Sequence, residues 1–421
     1  MNISFWLFIL ILYKGNCYVI DIKPVERNFN SSTTRHIDDL RVLGKKKVPS
    51  VLMYIGNPPQ GIIVGITVEN NKSWVMVKKG KNFIFDDTQS NSFEKDIKFY
   101  TFVYEDKYYI GELSYDYVKI DKNVNIEGKE KFQFLKYDLY DEHQLNLNEI
   151  KGEIGLNIKA KEDNDFDPSH RPNEQESLSS SLLIDYLKLT SQIKTSRIGI
   201  TFDDNGGSLY IDEELNMKKH CNINNKNTLS CELNLVKFGN NITYSQSEST
   251  VEFDMKNSYI LAPGNVGTML LVAIAINIKK YFCIDHELYG YYYITCKGDK
   301  LSEIYKLYPS VDFHLMADRV INVLSIPTKD LFVCDTVNNE CVFQIIGNVY
   351  YLEQKWIFGT VIYNSNVIQI DYDNNKIFFS SKNELNIQMN KNRTTILITI
   401  NSISLFLLIG IALTIYSKKT I

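Results

Sequence analysis

Residues 54–77 read YIGNPPQGIIVGITVENNKSWVMV, and the fold turns on them. Gly56-Asn57-Pro58-Pro59-Gln60 is a cluster of turn formers set before an apolar run. The runs at 62–68 and 73–77 are short and rich in Val, Ile and Trp, which are strand lengths and strand residue types. Similar runs recur at 99–104, 108–113, 117–120, 198–202 and 208–211. Five more follow in the second half, at 291–295, 342–346, 356–361, 367–370 and 376–379. The class read from this pattern is mainly β.

The chain has 421 residues, enough for two domains of about 150 to 200 residues each. Its 46 basic and 50 acidic residues give a net charge of -4 and are spread throughout. No basic face recommends nucleic acid or an anionic membrane as a partner. The polar stretch 159–180 reads as an exposed loop, 182–189 as a short helix, and Asp203-Asp204-Asn205-Gly206-Gly207 as a tight turn near a lobe boundary. Residues 268–278 are dense in apolar side chains but half the length of a membrane span, so they read as a buried core helix.

The ends carry targeting signals. Residues 3–13 form an apolar run followed by Lys14, Gly15, Asn16 and Cys17, as in a secretory signal peptide; an uncleaved anchor is the competing reading. Residues 395–416 are uncharged and apolar, 22 in a row, long enough for a membrane helix. Lys418 and Lys419 on the short trailing side place that side in the cytosol, giving a single-pass type I protein whose bulk is lumenal or extracellular. A lipid-anchor signal also ends in an apolar tail, but this one ends in lysines. Lys418 and Lys419 also resemble a dilysine retrieval signal of endoplasmic reticulum membrane proteins; a plain stop-transfer anchor is the alternative, which leaves the cell surface open.

Removing Cys17 with the signal leaves Cys221, Cys231, Cys283, Cys296, Cys334 and Cys341, an even set in an oxidising compartment. Cys221 with Cys231 and pairs among the other four are plausible, but spacing does not fix the pairing. The histidines show no ligand spacing, so no metal is expected, and no cofactor. Asn30, Asn71, Asn241 and Asn392 each open a glycosylation sequon.

The spaced motifs resemble those of the pepsin-like aspartic peptidases from about residue 54 to residue 379. Residues 54–60 are similar to the opening Y-x-G-T-P-P-Q of that family. Without a gap from Gln60, Trp74-Val75 falls where the family has Trp-Val. Residues 85–93 (FDDTQSNSF) resemble its F-x-P-x-x-S-S-T-F stretch, and Tyr104 with Gly111 seven residues on matches the flap. Gly152-Glu153-Ile154-Gly155-Leu156 resembles G-I-L-G-L. In the second half, 254–263 overlays D-T-G-T-S-L-L-T-G-P with Asp254 and Pro263 in place. Residues 356–361 and 371–377 resemble W-I-L-G-D-V and F-D-x-x-N-N-K-V.

The resemblance implies a bilobal, mainly β fold with a C-terminal transmembrane helix. Its expected organisation is a signal peptide at 1–17, a leader or prosegment at 18–48, lobes at 49–202 and 203–380, a stalk at 381–394, the membrane helix at 395–416 and a cytosolic tail at 417–421. It also implies chemistry by two carboxylates that share one proton and act as a unit. The first of these should lie at Thr67-Val68-Glu69, where Thr67 stands in place of the acid. Asp254 is then a retained second acid with no first acid to share its proton. Lys256 and Glu69 replace the family's turn glycines, and Glu69 is a candidate for rescuing the lost acid.

Three readings follow. The first is an inactive, membrane-tethered homologue that binds a peptide or protein ligand in the interlobe cleft. The second is an active or weakly active endopeptidase using Asp254 with a non-standard partner such as Glu69. The third is an adhesion or structural protein that uses the outer faces of the scaffold.

Overall fold

The structure is a computed structural model that describes residues 18–28, 45–68, 73–77, 84–104, 107–120, 131–138, 150–157, 183–203, 205–224, 228–239, 242–255, 257–288, 290–335, 339–349 and 353–386. Its first half holds β1 (Tyr18–Asn28), β2 (Lys45–Ile55), β3 (Gln60–Thr67), β4 (Trp74–Val77), β5 (Glu94–Tyr104), β6 (Lys107–Asp116), β7 (Val118–Ile120), β8 (Phe132–Asp138) and β9 (Gly152–Gly155). Helix α1 (Leu183–Leu189) leads into β10 (Arg197–Asp203), β11 (Gly206–Ile211) and β12 (Lys219–Asn222). The second half holds β13 (Ser230–Phe238), β14 (Ile242–Phe253), β15 (Ile260–Pro263), helix α2 (Gly264–Ile278), β16 (Cys283–Leu288), β17 (Tyr291–Lys297), helix α3 (Leu301–Leu307) and β18 (Ser310–Ala317). It closes with β19 (Val320–Pro327), β20 (Phe332–Asp335), β21 (Glu340–Phe343), β22 (Ile345–Asn348), β23 (Lys355–Phe358), β24 (Asn366–Asp371) and β25 (Lys376–Ser381).

The described strands form two sheets, one of 14 and one of 11 strands. Each contains the same motif. In the first the order is β2-β3-β9-β4-β8-β6-β5, and in the second β13-β14-β23-β15-β22-β17, with β16 also on β17. Senses agree as well: β3 with β9 and β4 with β8 are parallel, as are β14 with β23 and β15 with β22. The cross-links β4 to β9 and β15 to β23 are antiparallel in both. β7 on β2 matches β18 on β13. The fold is therefore an internal duplication, the two-lobed architecture that the spaced motifs imply.

Burial explains the strand patterns. In β18, Val311, Phe313, Leu315 and Ala317 are buried and alternate with half-exposed residues, the signature of a sheet with one face on the core. β24 is buried at all six positions because it lies inside the part of the sheet that joins the halves, between β10 and β25. That shared part runs β12-β25-β24-β10-β11-β1, so strands from both ends of the chain meet in it.

Three local expectations change. Residues 18–28, part of the stretch read as a leader or prosegment without sustained periodicity, form β1, which pairs with β11 and β2 and buries Ile20, Ile22 and Val25. The run 342–346 divides into β21 and β22. Residues 268–278, expected as a buried core helix, belong to α2, which buries only one side: Leu270, Leu271, Ile274 and Ile278 are buried, whereas Met269 and Ile276 are exposed. Among the described residues no helix is long and apolar enough to cross a membrane; 1–17 and 387–421 lie outside them.

Candidate active site

The two sheet motifs decide which residues are counterparts. β3 runs parallel to β9 with Gly65 opposite Glu153, Ile66 opposite Ile154 and Thr67 opposite Gly155. β14 runs parallel to β23 with Glu252 opposite Ile357 and Phe253 opposite Phe358. One step further Asp254 comes beside Gly359, and its N–H donates to the Phe358 carbonyl at 2.9 Å. Seven residues after Thr67, Trp74 returns along β9 opposite Glu153. Seven after Asp254, Leu261 returns along β23 opposite Ile357. Turns of equal length hang on equivalent strands, so Thr67 and Asp254 are topological counterparts.

Their environments differ. Thr67 is buried, and its Oγ1 is enclosed with no hydrogen-bond partner among the described residues. Its carbonyl accepts from the Leu156 N–H at 2.9 Å. A hydroxyl of this kind carries no charge at ordinary pH and offers no carboxylate to share a proton. Asp254 is half-buried, at the point where the chain leaves β14. The residues that follow, Val68 and Met255, are both buried and apolar, so the second position of each turn lacks the hydroxyl of the family's Asp-Thr-Gly.

The second turn packs tightly on its support. The Gly359 N–H donates to the Tyr259 carbonyl at 3.1 Å and the Thr360 N–H to the Asn257 carbonyl at 2.7 Å. A Cβ on Gly359 would lie 2.3 Å from the Tyr259 oxygen and 2.4 Å from that of Asn257. Glycine is required there by close approach of backbone. In the first half the equivalent Gly155 N–H donates to Ser73 Oγ at 3.2 Å.

One buried carboxylate near Thr67 escapes the sequence reading. Glu153 stands where the family pattern has Ile; it is buried, and its Oε2 accepts from Trp74 Nε1 at 3.1 Å. Strand alternation puts Glu153 on the same sheet face as Thr67, because Gly65 and Thr67 lie opposite Glu153 and Gly155. The one sequence signal for it is a charged residue within an otherwise apolar motif.

A second brace reaches the first turn from the other end of the chain. Tyr372, just past β24, donates its hydroxyl to the Leu156 carbonyl at 3.0 Å. Burial pushes its pKa well above the ordinary tyrosine range, with Tyr363 and Asp185 adding to the rise, so it stays a donor. Asp185 in α1 is pushed up to about 6 by burial, which outweighs Lys188.

The flap hairpin forms from β5 and β6, with Tyr104 opposite Lys107. Gly111 is buried and lies opposite Tyr100, not Tyr104. The side chain of Tyr104 lies outside the described residues. So do Glu69, Lys256, the sequon residues Asn30, Asn71, Asn241 and Asn392, and Lys418 and Lys419. Among the described residues no group of three or more His, Cys, Asp or Glu is arranged to hold a metal.

The six cysteines pair as Cys221–Cys231, Cys283–Cys296 and Cys334–Cys341. Each closes a short loop, the last two across adjacent antiparallel strands. The second-half hairpin β16–β17, counterpart of the flap, is thus covalently stapled.

The family model for eukaryotic aspartyl proteases matches residues 52–382. No curated protein matches the chain.

Proposed function

The chain belongs to the eukaryotic aspartyl protease family, and from that premise we propose that it is a catalytically silent member. In this reading its interlobe cleft binds an extended peptide or protein segment without cutting it, and residues 395–416 tether it to a membrane of the secretory pathway. The observation that carries the proposal is Thr67, the topological counterpart of Asp254. Loss of one acid–base group costs about 10² to 10⁴ in rate, and four decades correspond to about 5.4 kcal/mol of transition-state stabilisation. Groups that act as a unit lose more. Glu153 is a buried carboxylate on that face, and it is engaged with the Trp74 indole. Binding survives such a loss, because strand-like pairing with extended peptide uses backbone groups. Three disulfides support an oxidising compartment.

The retained Asp254 favours the second reading, residual proteolysis with a non-standard partner. The deciding experiment offers a peptide library to the full chain and to Asp254→Ala, from acid to neutral pH, with and without a transition-state inhibitor of aspartic peptidases. Silence with retained inhibitor or peptide binding is the expected result. Cleavage that Asp254→Ala abolishes would overturn it.

A further inference from the structure

Helix α2 presents an apolar face that no described residue covers. Its 15 residues contain no charged side chain. Leu270, Leu271, Ile274, Ala275 and Ile278 are buried against the second sheet. Met269, Val272 and Ile276, spaced i, i+3 and i+7, share the opposite side. Met269 is 69% exposed and Ile276 70%. Beyond the helix Phe282 is 65% exposed, on the turn that leads into β16, which packs against α2.

Phe282 is held at φ 59°. A bulky side chain pays for this left-handed conformation, which Gly would adopt freely, and here it holds a phenyl ring toward solvent. Lys279 and Lys280 stand exposed between helix and ring. Asp285 and Glu287, also exposed, follow on β16, and Asp285 accepts from the Tyr292 hydroxyl at 2.5 Å.

We propose that this face, formed by Met269, Val272, Ile276 and Phe282 with Lys279 and Lys280 at its rim, docks on a lipid bilayer. Clustered exposed apolar side chains mark interaction surfaces, and these are aliphatic and phenyl groups without the Trp, Tyr and Arg of protein hot spots. Aliphatic and Phe side chains enter the headgroup and acyl boundary while adjacent lysines meet lipid phosphates.

The chain itself supplies the surface. Eight residues separate Asn386, the last described, from the uncharged segment that begins at 395. Fully extended, such a linker reaches about 29 Å at most, which keeps the body close to the bilayer. This last step rests on the membrane-tether reading above; the exposed face does not.

The test places the photo-crosslinker p-benzoylphenylalanine at Ile276 or Met269 in the full chain, reconstituted with phosphatidylcholine vesicles with and without phosphatidylserine. The control position is Ile97, 91% exposed on β5. Alkaline carbonate extraction reports the tether separately. The expected result is lipid adducts several-fold above control at both α2 positions, reduced by Phe282→Ser and raised by phosphatidylserine. Adducts no greater than control, or adducts to a second copy or to another protein, would overturn the proposal. Retention by the membrane without adducts defeats docking and leaves the tether standing. Extraction with adducts defeats the tether and leaves docking standing.

Discussion

Tyr372 and Leu156 are joined by a hydrogen bond of 3.0 Å from hydroxyl to carbonyl, although 216 residues separate them. The same Leu156 donates its N–H to the Thr67 carbonyl. A residue just past β24 thus braces the end of β3 at Thr67. Tyr372→Phe leaves the buried Leu156 carbonyl without that donor and should cost about 1 to 3 kcal/mol. Urea unfolding checks it: the midpoint falls while the slope stays constant. An unchanged midpoint would mean that the carbonyl is satisfied without Tyr372.

Thr67 carries a buried hydroxyl without a partner among the described residues, which is an unfavourable arrangement. Thr67→Val keeps the branched shape and removes the oxygen, so it should stabilise the protein by about 1 kcal/mol. Thr67→Asp puts a carboxylate in the same enclosed place and should destabilise. Thermal unfolding of the pair, with the wild type between them, is the expected ranking.

Gly359 has no room for a methyl group between the Tyr259 and Asn257 oxygens. Gly359→Ala must displace the turn that follows Asp254, at a cost of about 1 to 3 kcal/mol. Peptide or inhibitor binding should weaken with it, since that turn positions Asp254. Measuring stability and binding on the same variant separates the two, and stability equal to wild type would show that the turn yields.

Asp185 has a folded-state pKa raised from 3.8 to about 6, so folding favours its protonated form. The stability it contributes is present in full below the ordinary carboxylate pKa and is lost as pH rises through about 6. Asp185→Asn should flatten that part of the stability profile and raise stability at neutral pH by about 1 kcal/mol, a figure reduced for partial exposure. Unfolding midpoints of both proteins across acid to neutral pH give the answer. Parallel profiles would rule out Asp185 as the source.

Several parts of the fold were legible because they are local. The turn at 56–60, the runs around it and the helix at 183–189 follow from turn chemistry and residue type. Residues 18–28 do not read as a strand because their pattern, YVIDIKPVERN, is short and charged; they become one by pairing with β11 and β2, partners that local sequence does not name. α2 misled in the opposite direction. Apolar composition suggested a core helix, but composition does not say which side of a helix meets the sheet.

The sequence alone determined the family frame and the even set of cysteines outside the first 17 residues, because each is a matter of residue identity at a spaced position. Tertiary structure decided the rest. It made Thr67 and Asp254 counterparts through two equivalent parallel pairings, left the Thr67 hydroxyl enclosed, paired the cysteines, brought Glu153 onto the Thr67 face and turned half of α2 outward. Each depends on which distant strand lies alongside, and long-range pairing is set by the packing of the whole core and not by any local run of residues.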